Sequence, residues 1–411
     1  MGVHYNKADF ITYGKPSLFL DFANKKSLTD RISGNNLITF TRSSTATYVG
    51  ADGLIKTASA DEPRFDHDPE TLESLGLLVE ESRANLYTQS SGMHSSYWGP
   101  INLITTSNAT IAPDGTNTAT LLVANTTNGA HYLKPNIGIS TTFNTVSVFL
   151  KSNGDQYFMI RGDNQTNFCV FDLINGVITS SSTSNSTTAS MIKYPNGWYR
   201  CIVSYIPGTT SNDPEFFLAN SSTYNIASFS GTGANGVYIW GAQCEAGSFP
   251  TSYIPTSGST ETRSADEASI TGSNFSSWYN QDQGTISFRA KSPTDPVQYT
   301  VVIDDSTNNN RHLFVISNFY QYQIRVSGST EAQIDAASVL SSFNSIAGGY
   351  KTNDIAVALN GSVDVDNVAS IPTCNRLSIY QFSGFTFTGT ISRLTYYPKR
   401  LTDTQLQALT Q

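Results

Sequence analysis

Apolar positions along this chain recur mostly at a spacing of two, in short runs bounded by Gly, Asn, Ser and Pro. Val146, Val148 and Leu150 alternate with Thr145, Ser147 and Lys151, the pattern of a strand with one buried face. Comparable runs follow at residues 157–161, 168–172, 197–203 and 236–241, with Asn153-Gly154 and Asn175-Gly176 supplying turns. The pattern restarts at residues 284–289, 299–303, 313–316, 322–326, 354–361 and 389–397. Helical spacing is rare. Residues 402–409 predict a short helix capped by Thr402 or Asp403, and residues 68–74 about one turn. The expected fold class is therefore all-β, built of sandwiches.

A chain of 411 residues exceeds one ordinary core. We expect a small N-terminal β block (1–95), a jelly-roll sandwich (96–255) and a second sandwich (264–411). The first block has too little apolar material for its own core and should lean on a neighbouring domain or another subunit. Residues 250–263, with two prolines among small polar residues, read as an extended connector, with 256–263 the linker itself. Residues 179–190, almost entirely Ser, Thr and Asn, predict an exposed loop or a polar edge strand.

Composition narrows the function. Charged residues make up only 14%, so hydroxyls and amides carry the polarity. A net charge of −8 without a basic cluster argues against a nucleic-acid partner. No apolar run is long enough for a membrane span, and the opening residues show no secretory signal pattern. Cys169, Cys201, Cys244 and Cys374 are far apart and read as small buried core residues. No phosphate loop, zinc-binding helix, Gly-x-Ser-x-Gly elbow or paired histidine suggests catalysis. Asp66-His67-Asp68 reads as a turn whose carboxylates bond nearby amides. Asp304 and Asp305 read as a hairpin turn, with a calcium site as the weaker alternative; no other cofactor is expected. Ring faces that could pack on a sugar point to Trp98, Trp278, Tyr320 and Tyr322 as ligand-binding candidates. Trp198 and Trp240 sit inside strand patterns and are assigned to the core.

Residues 40–48, Asp52-Gly53-Leu54-Ile55, residues 63–69 and residues 75–86 resemble an opening module of tailed-bacteriophage structural proteins, of the head-spike, head-fibre and tail-fibre kind. Ala112-Pro113-Asp114-Gly115, Gly197-Trp198-Tyr199-Arg200 and residues 238–243 are similar to the jelly-roll carbohydrate-binding modules that follow such openings. Residues 356–361 and 389–406 resemble a concanavalin A/laminin-G-type sandwich. The resemblance implies a non-catalytic virion protein: a fibre, spike or decoration whose first block anchors it to capsid or tail proteins. Its lectin-like domains would meet host-surface glycans, and a homo-oligomer, with a trimer favoured, would raise avidity. The alternatives are an architectural cement protein without sugar binding and a polysaccharide depolymerase.

Overall fold

The computed structural model describes residues 13–139, 141–162, 166–208, 213–224, 228–292, 298–316, 319–337, 342–367, 369–379, 381–382 and 385–411. Four large antiparallel sheets pair into two sandwiches, so the all-β expectation holds. The only described helices are short. The last, Asp403–Thr410, begins at the predicted cap: the Thr402 hydroxyl accepts from the Gln405 amide, while the Gln405 side chain accepts from the Thr402 amide.

The jelly roll faces a six-stranded sheet against a five-stranded one. The first runs Thr188–Lys193, Tyr199–Tyr205, Asn144–Asn153, Gly236–Ala246, Ala119–Ala124 and Leu103–Thr110. The second runs Tyr132–Leu133, Glu215–Ala219, Tyr157–Arg161, Phe168–Asp172 and Val177–Ser181. Val146, Val148 and Leu150 meet Phe158, Ile160 and Phe171 between them. The polar stretch 179–190 supplies parts of an edge strand to each sheet, where unpaired backbone can face water.

The strand Asn144–Asn153 is not half-buried as its alternation suggests. Its second face is covered by the hairpin Ala46–Val49 and Ile55–Ala58, together with Tyr194, Trp198, Trp240 and Tyr253 around Phe149. Ser147 pairs with Gln243 and Phe149 with Trp240, leaving one extra residue in the later strand. Gly241, at φ +62, lies in this bulge; a Cβ there would stand 2.9 Å from the Phe149 ring.

The other sandwich is discontinuous in sequence. One sheet runs Ser362–Asp366, Ile355–Leu359, Asn344–Lys351, Gln283–Lys291, Gly389–Tyr397, Ser74–Val79 and Arg64–His67, with Leu18–Leu20 also paired to Gly389–Tyr397. The facing sheet runs Thr39–Thr41, Glu267–Thr271, Arg376–Ile379, Gln298–Asp304, Arg311–Ile316, Phe319–Val326 and Ser329–Ala337. Leu18, Leu20, Phe40, Leu77 and Val79 thus share one core with Ile286, Phe288, Phe314 and Leu394. The first block does lean on a neighbour, but its strands complete the last block's sheets rather than forming an anchor unit of their own. Gly76 makes the close approach: a Cβ on it would fall 2.2 Å from the Ile391 carbonyl oxygen. The jelly roll is inserted between the two halves.

The two crossings into and out of the jelly roll pair with each other. Arg83–Asn85 runs antiparallel to Glu261–Arg263. The expected linker 256–263 is therefore partly strand, exposed at its centre but buried at Thr256 and Arg263. Backbone pairing and side-chain burial replace the free extended connector predicted from composition. Residues 68–74 form a turn rather than a helix: the Leu72 amide donates to the Asp68 carbonyl, and the Asp68 amide to Glu73. All four cysteines are buried and free. Among the described residues, no helix is long and apolar enough to cross a membrane.

Candidate functional site

The junction of the two sandwiches is built on buried charge. Asp266 accepts from Arg42 Nη1 at 2.9 Å and from Arg64 Nη2 at 2.5 Å. Arg64 Nη1 reaches Glu80 at 2.7 Å, and Arg263 Nη1 reaches the same carboxylate at 3.0 Å. Ser252, from the end of the jelly roll, donates its amide and hydroxyl to Glu80 at 2.7 and 2.6 Å. Burial opposes ionisation of Glu80, but Arg263 and Arg64 overcome it and hold the carboxyl down at about 2. The same system continues into the jelly roll, where Glu245 accepts from Gln243 Nε2 at 2.7 Å and from the Thr251 amide at 3.0 Å.

Beside this junction lies a cleft of about 1020 Å³, at the upper end of the range for small-molecule sites. Its jelly-roll wall is the outer face of the six-stranded sheet. Strand alternation turns Thr188, Ser190 and Ile192 outward, opposite Ser204, Ile202 and Arg200 of the next strand. The opposing wall carries Asp66, Leu78 and Thr390 from the discontinuous sandwich, and Tyr48 lines the cleft as a half-buried ring. Lys193 Nζ meets Glu70 at 2.8 Å across the two units, with both side chains exposed.

Asp66 is the cleft's distinctive acid. Its Oδ1 accepts from the Val49 amide at 2.7 Å. Desolvation by the surrounding walls outweighs that bond and pushes the carboxyl up to about 7, although the residue keeps some solvent exposure. Only Asp68 matches the expected turn: its Oδ1 accepts from the amides of Glu70 and Thr71, each at 2.9 Å. Asp66 and His67 end the strand Arg64–His67 instead, and His67 Nδ1 lies 3.0 Å from the Val49 carbonyl oxygen.

None of the four aromatic candidates presents a ring face to solvent. Trp98 packs against Tyr87 at 5.0 Å and Phe216 at 5.8 Å inside the jelly roll. Trp278 is buried against Phe275 and Tyr396. Tyr320 and Tyr322 lie in the core of the discontinuous sandwich, where Tyr322 stacks on Phe314 at 4.5 Å and its hydroxyl lies 2.9 Å from His312 Nδ1. Loop-like local sequence misplaced the two tryptophans, because a short 3-10 turn and a short helix turn their rings inward. Trp198 and Trp240 are buried as expected, but on the jelly roll's outer face rather than between its sheets.

Asp304 and Asp305 form the expected hairpin turn. Asp304 takes a two-pronged contact from Arg376 at 2.9 and 3.0 Å and accepts from the Ser306 amide. Asp305 accepts from Thr307 and Asn310. Both carboxylates are engaged within the protein, which removes the reason for placing calcium there. Among the described residues, no group of three His, Cys, Asp or Glu converges to hold a metal ion.

No protein family and no curated protein matches the sequence. Among solved structures, the chain is similar to a CBM40 carbohydrate-binding module of Ruminococcus gnavus IT-sialidase bound to α2,3-sialyllactose. Identity is 17% and the TM-score 0.29, over 32% of this chain and 84% of that one. NanB sialidase from Streptococcus pneumoniae matches at 13% identity and a TM-score of 0.30, over 35% of this chain and 26% of that one. A heptameric SAP-like pentraxin from Limulus polyphemus matches at 17% and 0.24, over 30% and 68%.

Proposed function

We propose that this chain is a non-catalytic attachment protein that meets glycans in the cleft between its two sandwiches. The observation that carries this reading is the cleft itself: large, open, and lined by Thr188, Ser190 and Thr390 hydroxyls beside apolar side chains. Sugars need that mixture, because their hydroxyls seek hydrogen bonds while their CH faces seek apolar contact. Of the cleft's other carboxylates, Asp68 is engaged by backbone amides, Glu70 by Lys193 and Glu80 by Arg64 and Arg263. That leaves Asp66 without a free carboxylate partner, so the cleft is read as a binding site rather than a hydrolytic one.

The resemblance of residues 40–48 and 75–86 to the opening of tailed-phage structural proteins supports a place on a virion, as fibre, spike or decoration. Attachment to the particle would then use a face of the discontinuous sandwich, since its first strands are committed to the sheets. Many copies on one particle, as in a trimeric fibre, would convert weak sugar contacts into firm attachment.

A glycan array with wild-type protein and Ser190→Trp tests the reading. Ser190 is exposed on the cleft wall, so the indole should fill the cleft without disturbing the fold. Binding by the wild type that is lost in the variant supports the reading. Equal binding by both, or none by either, overturns it, and silence of both would favour the cement role.

A further inference from the structure

Arg200 is a buried cation with no counter-ion among the described residues. It is 7% exposed and lines the cleft floor beside Phe149 and Tyr253. Its Nη2 donates to the Ser147 hydroxyl at 2.9 Å and to the Thr251 carbonyl at 2.8 Å, both neutral oxygens. Its Cζ lies 5.6 Å from the centre of the Phe149 ring, which is a weak electrostatic partner. Its Nε, fully buried, has no acceptor. Among the described residues no carboxylate comes within ion-pair distance of it, whereas Arg42 and Arg263 each have one and Arg64 has two.

The wider hydrogen-bonded system shows the same imbalance. Four buried arginines (Arg42, Arg64, Arg200 and Arg263) stand against three buried carboxylates (Glu80, Glu245 and Asp266). Glu80 and Asp266 are taken by the other three arginines, and Glu245 by Gln243 and Thr251. Asp66, on the opposite wall, bonds to the Val49 amide. An uncompensated guanidinium in a low-dielectric wall is costly, and the ordinary remedy is an oxyanion with two acceptor atoms.

We propose that the cleft is a site for an anionic ligand, of the class of acidic glycans bearing carboxylate or sulfate groups, whose oxyanion pairs with Arg200. The sugar part of this inference rests on the reading given above, but the anion site stands on its own. Ser190 and Thr188 follow on one side, two and four residues along the strand from Arg200's cross-strand partner Ile192, and their outward hydroxyls suit the remaining polar atoms of such a ligand. Ile192, cross-strand from Arg200 and 38% exposed, offers a way to neutralise the site from within.

Thermal unfolding with increasing sodium sulfate, against sodium chloride at matched ionic strength, tests the anion site without any sugar. Sulfate should raise the midpoint of the wild type, and the rise should vanish in Ile192→Glu, whose carboxylate occupies the site. An equal rise in both proteins overturns the proposal, as does no rise in the wild type. Calorimetric titration with trigalacturonate and neutral maltotriose then tests the ligand class. Trigalacturonate should bind the wild type at least about tenfold more tightly than maltotriose, and Arg200→Lys should retain more affinity than Arg200→Gln. Equal affinities would overturn the acidic-glycan assignment. Failure of both sugars with a surviving sulfate effect would keep the anion site and remove the glycan reading. Arg200→Gln can be destabilising, and Ile192→Glu, made at an exposed position, keeps the test decisive if it does not fold.

Discussion

Asp266 Oδ1 lies 2.9 Å from Arg42 Nη1, although 224 positions separate the two residues and both side chains are fully buried. The contact joins the opening segment to the chain just after it leaves the jelly roll. With Arg64 and Glu80 it forms the ionic seam on which the cleft is built. A buried pair of this kind contributes little over a well-packed apolar replacement, but losing one partner strands the other.

Asp266→Ala should therefore destabilise the protein by about 3–5 kcal/mol, since two arginines lose their shared carboxylate. Denaturant unfolding followed by far-UV circular dichroism measures it. A change below about 1 kcal/mol would show that the arginines find other partners or water.

Acid should reach the same seam. Glu80 titrates at about 2 in the folded protein, below its ordinary 4.5, so its stabilisation is complete above pH 4.5 and is lost as pH falls toward 2. The shift corresponds to about 3 kcal/mol. The difference in unfolding free energy between wild type and Glu80→Gln should shrink by that order between pH 5 and pH 2. A pH-independent difference would contradict the assignment.

Asp66 should act in the opposite sense. Its folded-state value, up to about 7, lies above the ordinary 3.8, so the folded state holds the proton more tightly than the unfolded state. Its contribution favours folding below pH 4 and is lost as pH rises through 7. Asp66→Asn should flatten that slope and gain relative stability at pH 8. Direct titration of the carboxyl by carbon-detected NMR checks the value, and a midpoint near 4 would contradict it.

Trp98→Ala should cost about 3–5 kcal/mol, because the indole fills the jelly-roll core between Tyr87 and Phe216. Glycan affinity measured on the folded fraction should be unchanged. Loss of affinity with little loss of stability would restore Trp98 as a ligand platform.

Local pattern carried much of the fold. The alternation around Val146, Val148 and Leu150, the Asn175-Gly176 turn, the Thr402 cap and the buried cysteines were legible because each depends on neighbours a few positions away. Asn153-Gly154, by contrast, ends a strand and crosses between sheets instead of turning a hairpin. The discontinuous sandwich was not. Nothing near Leu18 or Leu77 in sequence says that Tyr396 and Ile391 will be their strand partners. The cleft was hidden for the same reason, since Ser190, Arg200 and Asp66 come from a polar stretch, a strand and what reads as a turn. Aromatic candidates failed because ring burial is decided by the facing sheet. The usable signal was Arg200 itself, a charged residue inside an otherwise apolar strand pattern beside Trp198.

Hydrogen–deuterium exchange of the protein with and without its tightest-binding oligosaccharide addresses the cleft most directly. Binding between the sandwiches predicts slowed exchange in residues 186–194 and 248–253 of one wall and in residues 64–70 of the other. Protection confined to another face, or none while the sugar is bound, would contradict it.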